Sequence, residues 1–288
     1  MKRIAIFLSI LLIVVFVGCS SQRVKPSTNI IFNSYEQYFI DSVLQVGLEN
    51  EALFTLLGDL KPMSSLVTFN YPIANNDSTK NSSSKILDRA IHGKYLDRLQ
   101  TVVNAINKSN IPDLQLILIP YQTPQKKSRI LQLSVVRKSS LDSLLKAKEE
   151  FFGQFGLVPG TDPNVVVSTI ECSDRFERWR GYGYLFGYPD YAVDFFVNAF
   201  LETESTGKFV ERSAFRIPTY SMPEAGNFVY TYPKGHTPTA EVDSVIYHKG
   251  VRILDNYKTM RNKYLNSDST VQSYKLLQDY YKSSVKRK

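Results

Sequence analysis

The sequence predicts an α+β fold, mostly helical, with four to five strands in a small antiparallel or mixed sheet. Three observations carry that expectation. Long stretches place apolar residues every three to four positions, the period of a helix with one buried face. Two short runs, 114–121 and 129–137, are rich in Ile, Leu and Val and bounded by turn-forming residues, as strands are. The chain has 288 residues, 43% hydrophobic and 22% charged, so it can bury a large core and does not have the composition of a disordered protein.

The elements follow in order. Over 34–57 the spacing of Tyr38, Phe39, Val43, Leu44, Leu48, Leu53 and Leu56 predicts an amphipathic helix capped by Asn33 or Ser34, with Gly47 and Glu49-Asn50-Glu51 as a point of division. Gly58 and Pro62 end it, and 65–71 reads as a strand closed by Pro72. An Asn- and Ser-rich loop covers 74–84, and Ser84 caps a helix over 85–107. The run Leu114-Gln115-Leu116-Ile117-Leu118-Ile119 is apolar enough to be the central strand, whereas 129–137 alternates more. Ser139 or Ser140 caps a helix over 141–155. Asp162-Pro163 then supplies a cap and a first-turn proline for a helix reaching Cys172. A further helix covers 174–186, Gly187 stops it, and Pro189 starts the next one, running to about 204. Strands at 215–220 and 227–232 follow, with Pro218 pointing to a sheet edge. Two helices, 239–265 and 271–281, close the chain.

The N-terminal segment carries an address. Lys2 and Arg3 precede an apolar run from Ile4 to Gly18, broken only by Ser9 and followed by Cys19. That run is shorter than the roughly 20 residues that span a bilayer as a helix. Cations, a short apolar core and a small residue before the cleavage point make a secretory signal. The ending Phe16-Val17-Gly18-Cys19 resembles the lipobox of bacterial lipoproteins, with Phe16 where that family prefers Leu. The resemblance implies cleavage before Cys19, a diacylglycerol thioether on its thiol, and attachment to a membrane. With Ser20 rather than Asp after the cysteine, it implies the outer membrane, facing the periplasm or the cell surface. The organisation expected is a signal peptide at 1–18, a lipidated cysteine and polar tether at 19–30, and one globular domain at 31–288.

Charge and cysteine content narrow the function. The formal net charge is +8, and loss of residues 1–18 with Lys2 and Arg3 lowers it to +6. Export makes a nucleic-acid partner an unsuitable explanation of that excess, and the basic cluster at 282–288 reads as a solvated end. Lipidation of Cys19 leaves Cys172 alone, so no disulfide staples the domain, and Cys172 reads as a buried small hydrophobe.

Chemistry-bearing residues crowd into 171–194. Arg175, Arg178 and Arg180 offer fork-shaped donors for carboxylates or phosphates, and Trp179, Tyr182, Tyr184 and Tyr188 offer rings for stacking. His236 stands in the Pro- and Gly-rich loop 233–238, a setting where site residues gather. Within this segment Leu185-Phe186-Gly187-Tyr188-Pro189 followed by Phe195 resembles an LLGYP-x-Cys-Cys-x-x-Phe pattern of uncharacterised prokaryotic proteins. The two cysteines of that pattern fall on Tyr191 and Ala192, so any thiol chemistry it implies is absent. A binding face made of Arg175, Arg178, Trp179, Tyr182, Tyr184, Tyr188 and His236 is therefore the leading expectation.

That face suits a non-enzymatic envelope protein, with the bilayer as one partner through acylated Cys19 and an envelope protein or glycan as another. The competing expectation is an envelope hydrolase of peptidoglycan, glycan or peptide, using His236 with Glu171, Glu177 or Asp190. A Cys172 nucleophile with His236 or His92 is a weaker variant, since no family signature flanks the cysteine. No metal or cofactor is expected: His92, His236 and His248 are scattered, and no HExxH, phosphate loop, dinucleotide fingerprint or Gly-x-Ser-x-Gly occurs.

Overall fold

The computed structural model describes residues 32–71, 74–75, 85–86, 89–121 and 129–285. Expectations that fall elsewhere, including the signal peptide, Cys19, the tether and the cap at Ser84, lie outside the described residues.

Helix α1 (Ser34–Glu49) starts at a capping box, in which Asn33 accepts from the Glu36 backbone N–H and Glu36 accepts from that of Asn33. The chain does divide after Gly47, giving a separate short α2 (Leu53–Leu56). Strand β1 (Met63–Tyr71) follows, then the two-residue β2 (Ala74–Asn75) and β3 (Lys85–Ile86), which pair with each other. The predicted helix start at 85 is thus a strand, and α3 covers Arg89–Lys108. Strands β4 (Leu114–Pro120) and β5 (Arg129–Arg137) lead into α4 (Lys138–Ala147), α5 (Glu149–Phe152) and a 3₁₀ turn over Gly153–Phe155. Then come α6 (Pro163–Cys172), α7 (Arg175–Leu185) and α8 (Asp190–Thr206). The hairpin β6 (Arg212–Ile217) and β7 (Phe228–Pro233) precedes a π-helical turn at Ala240–Ser244, α9 (Val245–Arg261) and α10 (Ser273–Val285).

The three longest strands form an antiparallel sheet in the order β1-β5-β4, and β6 pairs with β7 in a separate ladder. The five expected strands therefore divide between two sheets. Which strand is central also differs from expectation: β5 holds the middle, while the apolar β4 is an edge strand among the described residues. Helices explain β4's composition. Leu116 and Leu118 pack into one core, and Ile117 and Ile119 into a second, so both faces of the edge strand are covered.

The period of two along the strands separates those cores. On one face Leu133 and Val135 of β5 join Leu44, Leu48, Phe54, Leu277 and their neighbours from α1, α2 and α10. On the other, Val136 and Met63 meet Leu141, Leu145, Phe152, Val166, Ile170 and Leu185 from α4 to α7. Gln132 and Ser134 share this second face because they pair with Ile119 and Ile117. Both are buried, and Gln132 faces a cavity rather than a packed helix.

Candidate functional site

Helices α7 and α8 meet at a corner written in glycine and proline. Gly187 takes φ +73°, with its N–H bonded to the Tyr184 carbonyl (2.9 Å) and the Tyr188 N–H bonded to that of Gly183 (3.0 Å). This is the paired closure of a Schellman cap, which a left-handed glycine permits. Pro189 then precedes α8, and its carbonyl accepts from Val193 N–H at 3.0 Å. Close approach inside the corner needs two more glycines. A Cβ on Gly181 would stand 2.7 Å from Ile170 Cγ2 on α6, and one on Gly183 would stand 2.8 Å from Val193 Cγ2 on α8.

Between this corner, the β5 face of the sheet and β7 lies a cavity of about 400 Å³. Met63, Ser65 and Gln132 form its sheet side, and Tyr121 stands beside Gln132. From α7 come Trp179, Tyr182, Gly183 and Phe186, and from α8 come Ala192, Val193 and Phe196. Tyr188 from the corner and Val229, Tyr230 and Thr231 from β7 complete the lining. Trp179 is braced by Phe196 (5.7 Å between centroids) and Phe200 (4.7 Å), Tyr182 stacks on Phe186 (5.5 Å), and Tyr188 stacks on Phe228 (5.8 Å). Rings held in this way form preset walls, as in ligand pockets.

The polar atoms are fixed as well. Gln132 Nε2 donates to the Val67 and Leu133 carbonyls, and its Oε1 accepts from Thr68 Oγ1 and from the Tyr121 hydroxyl at 3.0 Å. Tyr182 donates to the buried Glu171 carboxylate at 2.8 Å, and Tyr230 donates to the buried Asp243 carboxylate at 2.5 Å. Burial, with the adjacent carboxylate, pushes both phenols far above the ordinary value, so they stay protonated. Asp243 also accepts from Tyr191 (2.6 Å) and from the Thr239 N–H (2.6 Å). Burial opposes its charge, yet those hydrogen bonds and the nearby His236 outweigh burial and hold its carboxyl below the ordinary value.

A charged pair stands behind the wall. Lys61 has no exposed surface, and its Nζ lies 2.6 Å from Glu51 and over the rings of Phe186 (5.1 Å), Tyr188 (5.9 Å) and Phe228 (4.6 Å). Burial pulls its pKa down against the pull of Glu51.

Of the residues expected on a binding face, Trp179, Tyr182 and Tyr188 line the cavity. The others are placed elsewhere. Arg175 pairs with Glu204 on the exposed surface and covers the rings of Phe176 and Trp179. Arg178 is partly buried outside the lining, where its charge acts on Tyr182. Tyr184 points across α7, against Phe151 (5.4 Å) and Phe152. The His236 ring packs on Tyr191 (5.0 Å) and Tyr232 (5.6 Å), with Nε2 buried and without a hydrogen-bond partner.

The groups named for a hydrolase do not gather. Glu171 is engaged by Tyr182, Asp190 pairs with Lys148 at the surface, and neither Glu177 nor His236 lines the cavity. Cys172 is exposed at the last position of α6, which corrects the expectation of a buried thiol: Val166, Val167 and Ile170 supply that helix's core face, and Cys172 falls on the opposite side. No hydrogen bond joins it to His92, which is buried, or to His236. No group of three or more His, Cys, Asp or Glu among the described residues converges as a metal site.

Sequence reasoning found the α7–α8 half of the cavity and missed Gln132, Tyr121, Tyr230 and Asp243. The available signal was the alternation of Gln132 and Ser134 with apolar neighbours, which reads as a solvent-facing pattern. No family model, curated protein or solved structure matches the chain.

Proposed function

We propose that the chain is a lipid-anchored protein of the bacterial cell envelope that binds a small, largely apolar molecule in the cavity between the sheet and the α7–α8 corner. The cavity carries this reading. Its walls are mainly aromatic and aliphatic, Gln132, Tyr121, Tyr182 and Tyr230 are held by hydrogen bonds, and its volume of about 400 Å³ falls in the range of small-molecule sites. The anchoring half of the reading rests on the lipobox-like Cys19 and its apolar leader, and makes the bilayer a partner. A binding role is favoured over hydrolysis because the acids and His236 do not converge on the cavity as a nucleophile–base pair would.

Trp179 makes the test direct, because it is the only tryptophan and lines the cavity. Titration with the neutral fluorophore N-phenyl-1-naphthylamine is expected to quench Trp179 emission saturably by energy transfer. Ala192→Phe, which fills the cavity from α8, is expected to weaken that binding about tenfold or more. Circular dichroism of the variant checks that the fold survives. Absence of saturable quenching in the wild-type protein, or equal binding by a folded Ala192→Phe variant, would count against the reading.

A further inference from the structure

The hydrogen-bond direction of the tyrosines says more about the ligand than the cavity's size does. Tyr121, Tyr182 and Tyr230 each spend their single O–H on an acceptor of the protein: Gln132 Oε1, Glu171 Oε2 and Asp243 Oδ1 respectively. A phenol whose proton is committed can offer a bound molecule only an oxygen lone pair. Two of the three acceptors are carboxylates, so negative charge stands one hydroxyl behind the lining at two separate points. Among the described residues no lysine or arginine lines the cavity. The Lys61 ammonium lies over the rings of Phe186 and Tyr188 and is bound to Glu51.

We propose that the cavity selects a small organic amine, a protonated ammonium head on an aromatic or alkyl body, and discriminates against carboxylates of the same shape. This rests on the cavity being the binding site. The ammonium donates to the lone pairs of Tyr182 or Tyr230 and feels the carboxylate behind, while the π-faces of Trp179, Phe186 and Tyr188 add cation–π attraction. Among the described lining residues a carboxylate head finds uncommitted donors in the Ser65, Thr231 and Tyr188 hydroxyls and the Trp179 indole N–H, and is opposed by the carboxylates of Glu171 and Asp243. Thr231 Oγ1 is itself buried without a partner, and it accepts from an ammonium as readily as it donates.

The experiment compares three probes of one shape, 2-phenylethylamine, 2-phenylethanol and 3-phenylpropionate, by Trp179 fluorescence and by displacement of N-phenyl-1-naphthylamine. The amine is expected to bind about tenfold or more tighter than the carboxylate, the usual worth of a hydrogen bond to a charged group, with the alcohol between them. In a Tyr182→Phe/Tyr230→Phe variant the gap is expected to fall to about threefold or less, because the oriented lone pairs are gone while the ring walls remain. If the carboxylate binds as tightly as the amine while the fluorophore still binds, the amine inference is overturned and the binding reading stands. If neither the fluorophore nor any of the three probes binds, the binding reading fails and takes the inference with it. An undiminished gap in the folded double variant also overturns the inference, since the tyrosines would then not be its source.

Discussion

Lys61 places an ammonium group where no part of the residue reaches solvent, held by Glu51 at 2.6 Å and by three aromatic faces. Such a pair is a poor source of stability, because desolvating both charges roughly cancels their attraction, but breaking it from one side is costly. Glu51→Gln leaves the buried ammonium without a counter-charge and is expected to cost about 3 kcal/mol in urea unfolding. Lys61→Met removes the charge, keeps the stem, and leaves a partly exposed Glu51 that water can solvate, so its cost is expected to stay below about 1 kcal/mol. The pH dependence has a definite sign. Burial lowers the folded-state pKa of Lys61 from 10.5, so between that lowered value and 10.5 the unfolded chain holds more protons. The ammonium's penalty is therefore present at lower pH and is relieved as pH rises through that window, an increment that Lys61→Met should abolish. Equal losses from Glu51→Gln and Lys61→Met would argue that the pair acts by packing alone. Nothing in Gly58-Asp59-Leu60-Lys61-Pro62 announces this burial, because a lysine beside a proline has the composition of a solvated loop.

The α7–α8 corner isolates an element-scale effect through two glycines. Gly187 and Gly207 each take φ near +70° after a helix, yet a Cβ on Gly187 would stand 2.5 Å from the Leu60 carbonyl oxygen, and one on Gly207 would meet nothing within 4 Å. Gly207→Ala is therefore expected to cost about 1 kcal/mol, the conformational penalty alone. Gly187→Ala adds a backbone collision and is expected to cost about 3 kcal/mol, lowering Tm by roughly 6–12 °C. A calorimetric Tm shift no larger for Gly187 than for Gly207 would show that the corner is free to move away from the Leu60 segment. The corner was legible because glycine and proline act through local backbone geometry, and so were the cap at Asn33, one of the two residues the sequence offered, and the proline start of α6. Features set by distant partners were not legible. The start of α4 depends on Asp113, whose carboxylate accepts from the Ser139 N–H (2.9 Å) and hydroxyl (2.6 Å), so neither Ser139 nor Ser140 is the cap that the local sequence suggests. Likewise β6 ends at Ile217 instead of running through Pro218, because Gly226, at φ +67°, turns the returning chain onto the Ile217 carbonyl, which accepts from Asn227 N–H.

Over the whole molecule, the cavity joins residues 63–65, Tyr121, Gln132, 179–196 and 229–231, and only 179–196 is chemically conspicuous in sequence. Convergence at that range depends on which face of β5 meets the α7–α8 corner, and a slip of one residue would send Gln132 and Ser134 to the other core. The proposed address, by contrast, is read from 1–19 alone. No helix among the described residues is long and apolar enough to cross a membrane, and the attachment proposed above is through Cys19. A diacylglycerol thioether supplies two acyl chains, and two chains hold a protein stably where one holds it only marginally. In a bacterial host, the wild-type chain is therefore expected to incorporate labelled fatty acid and to float with vesicles after detergent removal. Cys19→Ala is expected to lose both, while its Trp179 still reports fluorophore binding, because the described lining residues all lie between 63 and 231. A Cys19→Ala protein that is cleaved yet remains with the membranes would defeat the lipoprotein reading. Loss of cavity binding in that variant would instead mean that the anchor and the cavity are coupled, against the separation drawn here between address and site.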